Sequence, residues 1–282
     1  MYNMSIGVML ESFLKPDAEA MAIAHSIGAQ GLQVYATPAR AEKHNIVTDA
    51  GKKEFLKLVK DNGLVISALC GDMGHGFTHP ELNDDLIEKS KRILDTALEL
   101  ETNIVTTHIG VVPEDDTCDT YKILQDACGQ LAAYADKMNA HFAIETGPEP
   151  SARLKKFLDS LHSTGVAVNL DPANLVMCVG DDPVQAVYNL KDYIVHTHAK
   201  DGIMLTETKA EDIYGNRAGQ EVVVNVGYKE LPLGQGGVPF PAYIKALDSI
   251  GYKGFLTIER ECGDNPTADI EMAVGFLQNL IK

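Results

Sequence analysis

Glu145, Asp171, His198 and Glu259 each stand at the end of a short apolar run, in AIETG, VNLDPAN, HTHAKD and LTIERE. Three carboxylates and one imidazole make the donor set of a divalent-cation site, provided the fold brings the four ends together. A lone carboxylate at such a place ordinarily caps a helix or joins a loop ion pair. Three carboxylates and a histidine at four such ends, each preceded by a run too apolar to favour a charge, are harder to account for as caps. Burying three carboxylates at one rim would be prohibitive without a cation to neutralise them. Oxygen-rich ligation with a single imidazole suits one divalent ion, Mn²⁺, Mg²⁺, Co²⁺ or Zn²⁺, and does not choose among them.

Other groups fall at comparable places. Glu11, Tyr35, His75 and His108 lie at or beyond the ends of the first four apolar runs. His108, in TTHIG, is a candidate to hydrogen-bond a substrate hydroxyl, with a structural role as the plain alternative. Lys200 is a candidate contact for substrate oxygen, against a solvated loop lysine, and His75, in the glycine-flanked GDMGHG, is expected to line the pocket. Glu149 and Arg260 are candidate supporting partners, with salt bridges as their default role. On strand seven, His196 and His198 are expected on opposite faces, His198 as ligand and His196 as a satisfied imidazole against the helix layer. The LGQGG cluster is a candidate phosphate cradle of backbone N–H groups, although no Lys or Arg is embedded in it.

The elements that must position these groups repeat regularly. A short apolar run followed by an amphipathic helical pattern recurs eight times, from IGVML with DAEAMAIAHSIGA to GFLTIERE with TADIEMAVGFLQNLI. Runs this uniformly apolar suit parallel strands buried on both faces. Gly28, Gly63, Gly165 and Gly251 fit helix C-terminal caps. Eight such units in 282 residues predict a single-domain (β/α)₈ TIM barrel over 1–282, whose strand C-termini carry the chemistry. A doubly wound open sheet would not need eight units and usually shows a glycine-rich first turn, which is missing. One segment breaks the rhythm. Residues 202–239 contain the polar TETKAEDIYGNRAGQ, the strand-like EVVVNV and LGQGG. They are expected as a βα insertion over the active face, a lid or substrate loop, with a surface hairpin as the alternative.

Composition narrows the class. A net charge of −16 opposes extended contact with nucleic acid. No run reaches the roughly 20 apolar residues of a membrane span, and the start resembles no signal peptide. Five scattered cysteines without a CxxC argue against a disulfide framework or thiolate zinc site. The expectation is a reduced, cytoplasmic protein acting on a small sugar or polyol, with a homo-oligomer compatible with the sequence.

AIETG, VNLDPANL, VHTHAKDG, LGQGG and GYKGFLTIERE, taken in order, resemble the sugar phosphate isomerase/epimerase family of xylose isomerase-like barrels, over essentially the whole chain. The resemblance implies one divalent ion held by Glu145, Asp171, His198 and Glu259. It also implies an enediolate mechanism in which Glu145 and Glu259 remove and return a proton. Return to the other face of the same carbon is epimerisation, and return to its neighbour is aldose–ketose isomerisation. Relatives commonly have His three residues after the strand-six Asp. Here it is Asn174, able to donate to a substrate oxygen but not as a cation, which departs from the ketose 3-epimerase pattern. An inosose-type dehydratase shares the chemistry and is the main alternative. An endonuclease IV-like nuclease fits less well. His75 and His108 match two of its zinc histidines, but Asn174, the absence of histidine after His198 and the acidic charge do not. A non-catalytic sugar-binding barrel would require the four ligands to hold no metal.

Overall fold

The computed structural model describes residues 2–214 and 227–282. Eight parallel strands close into a barrel: β1 (Ser5–Met9), β2 (Gly31–Tyr35), β3 (Val65–Cys70), β4 (Ile104–Thr107), β5 (His141–Glu145), β6 (Val166–Leu170), β7 (Ile194–Ala199) and, after a hairpin of β8 (Asp201–Met204) with β9 (Tyr228–Leu231), β10 (Phe255–Ile258). β10 closes the ring by pairing with β7 on one side and β1 on the other. This is the TIM barrel predicted from the strand–helix repeat.

Helices wrap the outside because each presents one apolar stripe to the strands. Pro80–Glu99, for example, turns Leu86, Ile87, Ile93, Leu94 and Ala97 inward. Their ends are marked locally. The Thr48 hydroxyl accepts from the Gly51 N–H at 3.1 Å to open Asp49–Asp61, and Gly28, at φ +95°, closes Asp17–Ile27. Gly165 is not a cap, contrary to expectation. The helix Ser151–Leu161 closes on His162, itself left-handed at φ 47°. Gly165 is needed because a Cβ there would lie 2.1 Å from the Ala132 carbonyl oxygen.

The barrel interior is more polar than the apolar runs suggested. Residues two apart on a strand share a face, so His196 and His198 both point inward, their ring centroids 5.9 Å apart. The placement of His196 against the helix layer is therefore corrected. Its Nδ1–H donates to Asn169 Oδ1 at 2.8 Å, and its Nε2 lies 2.9 Å from the Thr257 hydroxyl. Burial above all, with the neighbouring His198, pushes its pKa down to about 3. It is a neutral, satisfied imidazole in the floor beneath the strand ends.

Between β7 and β10, β8 and β9 pair antiparallel, Asp201 opposite Leu231 through Met204 opposite Tyr228, and a short helix, Ala210–Tyr214, follows β8. The expected EVVVNV strand (221–226) and the end of the polar run lie outside the described residues. Among the described residues no helix is long and apolar enough to cross a membrane.

Candidate active site

The four residues at the ends of β5, β6, β7 and β10 converge. Glu145, Asp171, His198 and Glu259 are buried, and each offers a ligand atom within 4.8 Å of the others. The pairing register explains this: Glu145 sits opposite Asn169, and His198 opposite Thr257, at the same height on adjoining strands. Asp171 follows β6 directly and turns the chain into the next element, its Oδ1 accepting from the Ala173 and Asn174 N–H groups at 2.8 and 2.9 Å. That leaves Oδ2 for the cluster.

His198 Nδ1 lies 3.2 Å from Asp171 Oδ2, 3.4 Å from Glu145 Oε1 and 3.4 Å from Glu259 Oε2. A single ring N–H serves one of three such oxygens. The set therefore fits a cation with several coordination positions better than it fits one proton. On the far side of the ring, Nε2–H donates to Gln33 Oε1 at 2.9 Å, and Gln33 Nε2 donates to Thr106 Oγ1 at 2.8 Å. With the Nε2 proton held there, a cation bound among the carboxylates would displace the proton on Nδ1 and take its lone pair, the tautomer a metal ligand requires. Burial opposes the charge on His198, yet Glu259 and Glu145 raise its pKa well above the ordinary value. Burial likewise opposes ionisation of Glu145, but His198, His108 and Lys200 hold its carboxyl well below the usual range.

The cavity above this cluster has a volume of about 190 Å³ and is lined by His108, Asn174, Lys200, Tyr35, Tyr214 and Tyr228 among others. Asn174 Nδ2 donates to Glu145 Oε1 at 3.1 Å, and Asn169 Nδ2 to Glu145 Oε2 at 3.0 Å. Both Glu145 oxygens are thus fixed. Lys200 is buried, not solvated; its Nζ donates to Glu259 Oε2 at 3.0 Å and also meets Glu261. His108 Nδ1 is bonded to Asp72 Oδ2 at 2.8 Å, while its Nε2 has no partner among the described residues and lies 3.7 Å from Glu145 Oε1. Burial works against a charged His108, but Glu145 and Asp72 outweigh it and lift the pKa to about 9.

His75 is not brought in: it is exposed and does not line this cavity. Gly74 and Gly76, at φ +75° and +55°, turn its loop, and the Asp72 Oδ1 bond to the Gly74 N–H pins that turn. Glu149 is buried away from the cluster, accepting from the Val112 N–H at 2.9 Å, with burial raising its pKa to about 7. Arg260 pairs with Glu230 and Asp269. Glu11 accepts from the Tyr35 N–H at 2.9 Å and meets His44 Nε2 at 2.7 Å. The LGQGG amides are not a phosphate cradle. The Asp201 carboxylate already takes the N–H groups of Gly234 and Gly236, at 2.9 Å each, and of Val238 at 3.1 Å.

Gln33, Asn169, Asp72 and the tyrosines of the insertion escaped the sequence reading. Gln33 and Asn169 carried a signal: each is a lone amide inside an otherwise apolar strand, where a polar group must find a partner. Tyr214 approaches the site closely because Gly147, at φ +140°, has no side chain. A Cβ there would lie 2.6 Å from the Tyr214 hydroxyl.

The family model described as xylose isomerase-like TIM barrel matches residues 21–280. The rhizopine catabolism protein MocC of Rhizobium meliloti is 31% identical over 161 residues, 56% of this chain and 47% of that protein. The chain thus spans about half the length of that curated relative. The xylose isomerase domain protein from Planctomyces limnophilus superposes with a TM-score of 0.78 at 23% identity, over 99% of this chain and 96% of that one. The probable 3-DHS dehydratase AsbF from Bacillus anthracis gives 0.72 at 18%, over 98% and 99%. The 3-keto-D-glucoside 4-epimerase YcjR from E. coli gives 0.71 at 14%, also over 98% and 99%. At these identities the structural likeness shows the fold. The family match, covering nearly the whole barrel, means that this chain belongs to the xylose isomerase-like TIM barrel family.

Proposed function

We propose that this protein is a divalent-metal-dependent sugar isomerase or epimerase, moving a proton at the carbon next to a carbonyl. The observation that carries this reading is the placement of two buried carboxylates, Glu145 and Glu259, each 3.4 Å from the same His198 nitrogen. A divalent ion held by Glu145, Asp171, His198 and Glu259 would act as a Lewis acid on the substrate carbonyl.

The chain's own groups account for the rest. Glu259 Oε2 is held by Lys200, and its Oε1 has no hydrogen bond among the described residues, so that oxygen is free to take the proton. Glu145, fixed through Asn169 and Asn174, returns a proton of its own from the other side, ending ionised as Glu259 ends protonated, and exchange with solvent resets the pair. His108 Nε2–H and the Lys200 ammonium stabilise the negative charge that develops on substrate oxygen during transfer. Tyr214 and Tyr228 wall the cavity and limit water. Among the described residues Lys200 is paired with Glu259 and Glu261, and His108 Nδ1 with Asp72, while His108 Nε2 stays open to substrate. The Gly234 and Gly236 amides of the LGQGG turn are taken by Asp201 and supply no phosphate site.

A dehydratase is the second reading, favoured by the Asp72–His108 pair: an additional proton donor at the cavity could protonate a departing hydroxyl. Incubating candidate ketoses and inososes with metal-loaded protein in D₂O separates the two. Deuterium beside the carbonyl without loss of water supports the isomerase or epimerase, and loss of water supports the dehydratase. Exchange with neither class, nor with their two-ring glycosides, sinks both.

A further inference from the structure

A second compartment of about 210 Å³ adjoins the catalytic cavity, and the two share Tyr35, Glu259 and Glu261 as walls. It lies between the turn Leu10–Phe13 that follows β1 and the segment after β10. Neither compartment alone reaches the roughly 300 Å³ at which pockets for larger organic ligands begin; joined, they do.

Its lining has a distinctive chemistry. The Glu11 side chain is only 10% exposed, and although its Oε1 is occupied, its Oε2 has no partner among the described residues. A buried, unpaired carboxylate oxygen is costly unless something donates to it. Arg260, on the same wall, turns its Nη1 to Glu230 and its Nε to Asp269, and not to Glu11. The Ser12 Oγ already accepts from the Arg260 N–H at 3.2 Å. Beside these acceptors stands Leu14, 80% exposed and held at φ 53°, an apolar surface with nothing upon it. A ligand suited to this lining brings hydroxyl donors on its edge and an apolar C–H face. A phosphate or carboxylate would bring its charge beside the Glu11, Glu259 and Glu261 carboxylates.

We infer that the compartment is a subsite for a second, uncharged sugar ring, so that the substrate is a glycoside of at least two rings and not a free monosaccharide. This rests on the sugar reading above. The reacting ring occupies the cavity over Glu145 and Glu259. The second ring lies beyond Tyr35, its hydroxyls donating to Glu11 and its C–H face against Leu14. Contacts made away from the reacting carbon then help hold that carbon in register.

Calorimetric titration of the metal-loaded protein with D-fructose and methyl α-D-glucopyranoside, and with a panel of two-ring glycosides of varied linkage, tests this. At least one two-ring ligand is expected to bind tenfold or more tighter than either one-ring ligand. The Cys262 thiol, exposed and on the compartment wall, gives an independent readout. A saturating two-ring ligand should slow its alkylation by iodoacetamide at least fivefold, whereas one-ring ligands should not. Glu11→Gln risks the fold through His44, so Leu14→Asp, at an exposed position whose φ of 53° Asp tolerates, is the variant of choice; it should erase at least tenfold of the two-ring preference. One-ring ligands binding as tightly as every two-ring ligand, with alkylation unaffected, would overturn the subsite while leaving the isomerase reading intact. No binding by sugars of either size would overturn both.

Discussion

Asp72 Oδ2 lies 2.8 Å from His108 Nδ1, and this bond aims the opposite ring nitrogen into the catalytic cavity, 3.7 Å from Glu145 Oε1. An Asp–His pair of this kind fixes both the rotation and the charge of the imidazole. Burial opposes the charge on His108, but Glu145 and Asp72 lift its pKa to about 9, and its Nε2 is left to face substrate.

That relationship has a measurable consequence. Removing the donor, in His108→Ala, should lower kcat about 100-fold. Asp72→Asn should lower it in the same direction by letting the ring turn and lose its charge. Because the two act as one unit, the double variant should be no slower than His108→Ala alone. Additive losses in steady-state kinetics would show that Asp72 acts independently of His108.

The metal reading makes a second prediction. Elemental analysis should find about one divalent ion per chain, and His198→Ala or Glu259→Gln should lose it. Saturating metal, at about 100 times its Kd, should add about 2.7 kcal/mol to unfolding stability. Neither variant should gain that increment. Metal at background level in the unaltered protein would leave three buried carboxylates without their cation and end the enzyme reading.

A third prediction concerns pH and lies away from the metal ligands. His44 is buried between Glu11 Oε1 at 2.7 Å and Asp17 Oδ2 at 2.8 Å. Burial opposes its charge, but bonds to Asp17 and Glu11 raise its pKa to about 9. A folded pKa above the ordinary value of about 6.5 means that the pairing contributes fully below pH 6.5 and is lost as pH rises through 9. The contribution is at most about 3 kcal/mol. Urea midpoints should therefore fall between pH 7 and 9.5, and His44→Gln should flatten that fall. Equal slopes in the two proteins would remove His44 as its source.

The site was legible in the sequence where a residue's type alone carried the argument. Carboxylates and an imidazole ending apolar strands have few structural uses, and the parallel barrel fixes where strand ends go. His196 was misplaced because the period of two puts it on the face of His198, where Asn169 and Thr257 supply its partners. Asp72 and Tyr214 were invisible for a different reason. Asp72 reaches the cavity from a loop and Tyr214 from the end of the short helix Ala210–Tyr214, and the paths of such connections depend on contacts that no periodicity encodes. Gln33 lies between these cases, since an amide in GLQVY announces a buried partner without saying which.

That partner is His198, and the pairing yields the last prediction. Gln33 Oε1 holds a proton on Nε2, so a cation bound by Asp171, Glu145 and Glu259 would find the Nδ1 lone pair. Gln33→Leu keeps approximate volume but deletes the acceptor. It also strands the Thr106 hydroxyl, which now accepts from the Gln33 amide at 2.8 Å. Unsatisfied buried groups of this kind cost about 1–3 kcal/mol of stability. The loss of an orienting partner should also weaken metal binding about 10- to 100-fold. The Gln33→Glu variant retains an acceptor, so it should bind metal more tightly than Gln33→Leu despite the extra buried charge. Competition against a chelating dye measures all three affinities. Were Gln33→Leu to bind as tightly as the unaltered protein, the tautomer of His198 would not depend on Gln33, and the carboxylates alone would be setting the proton's position.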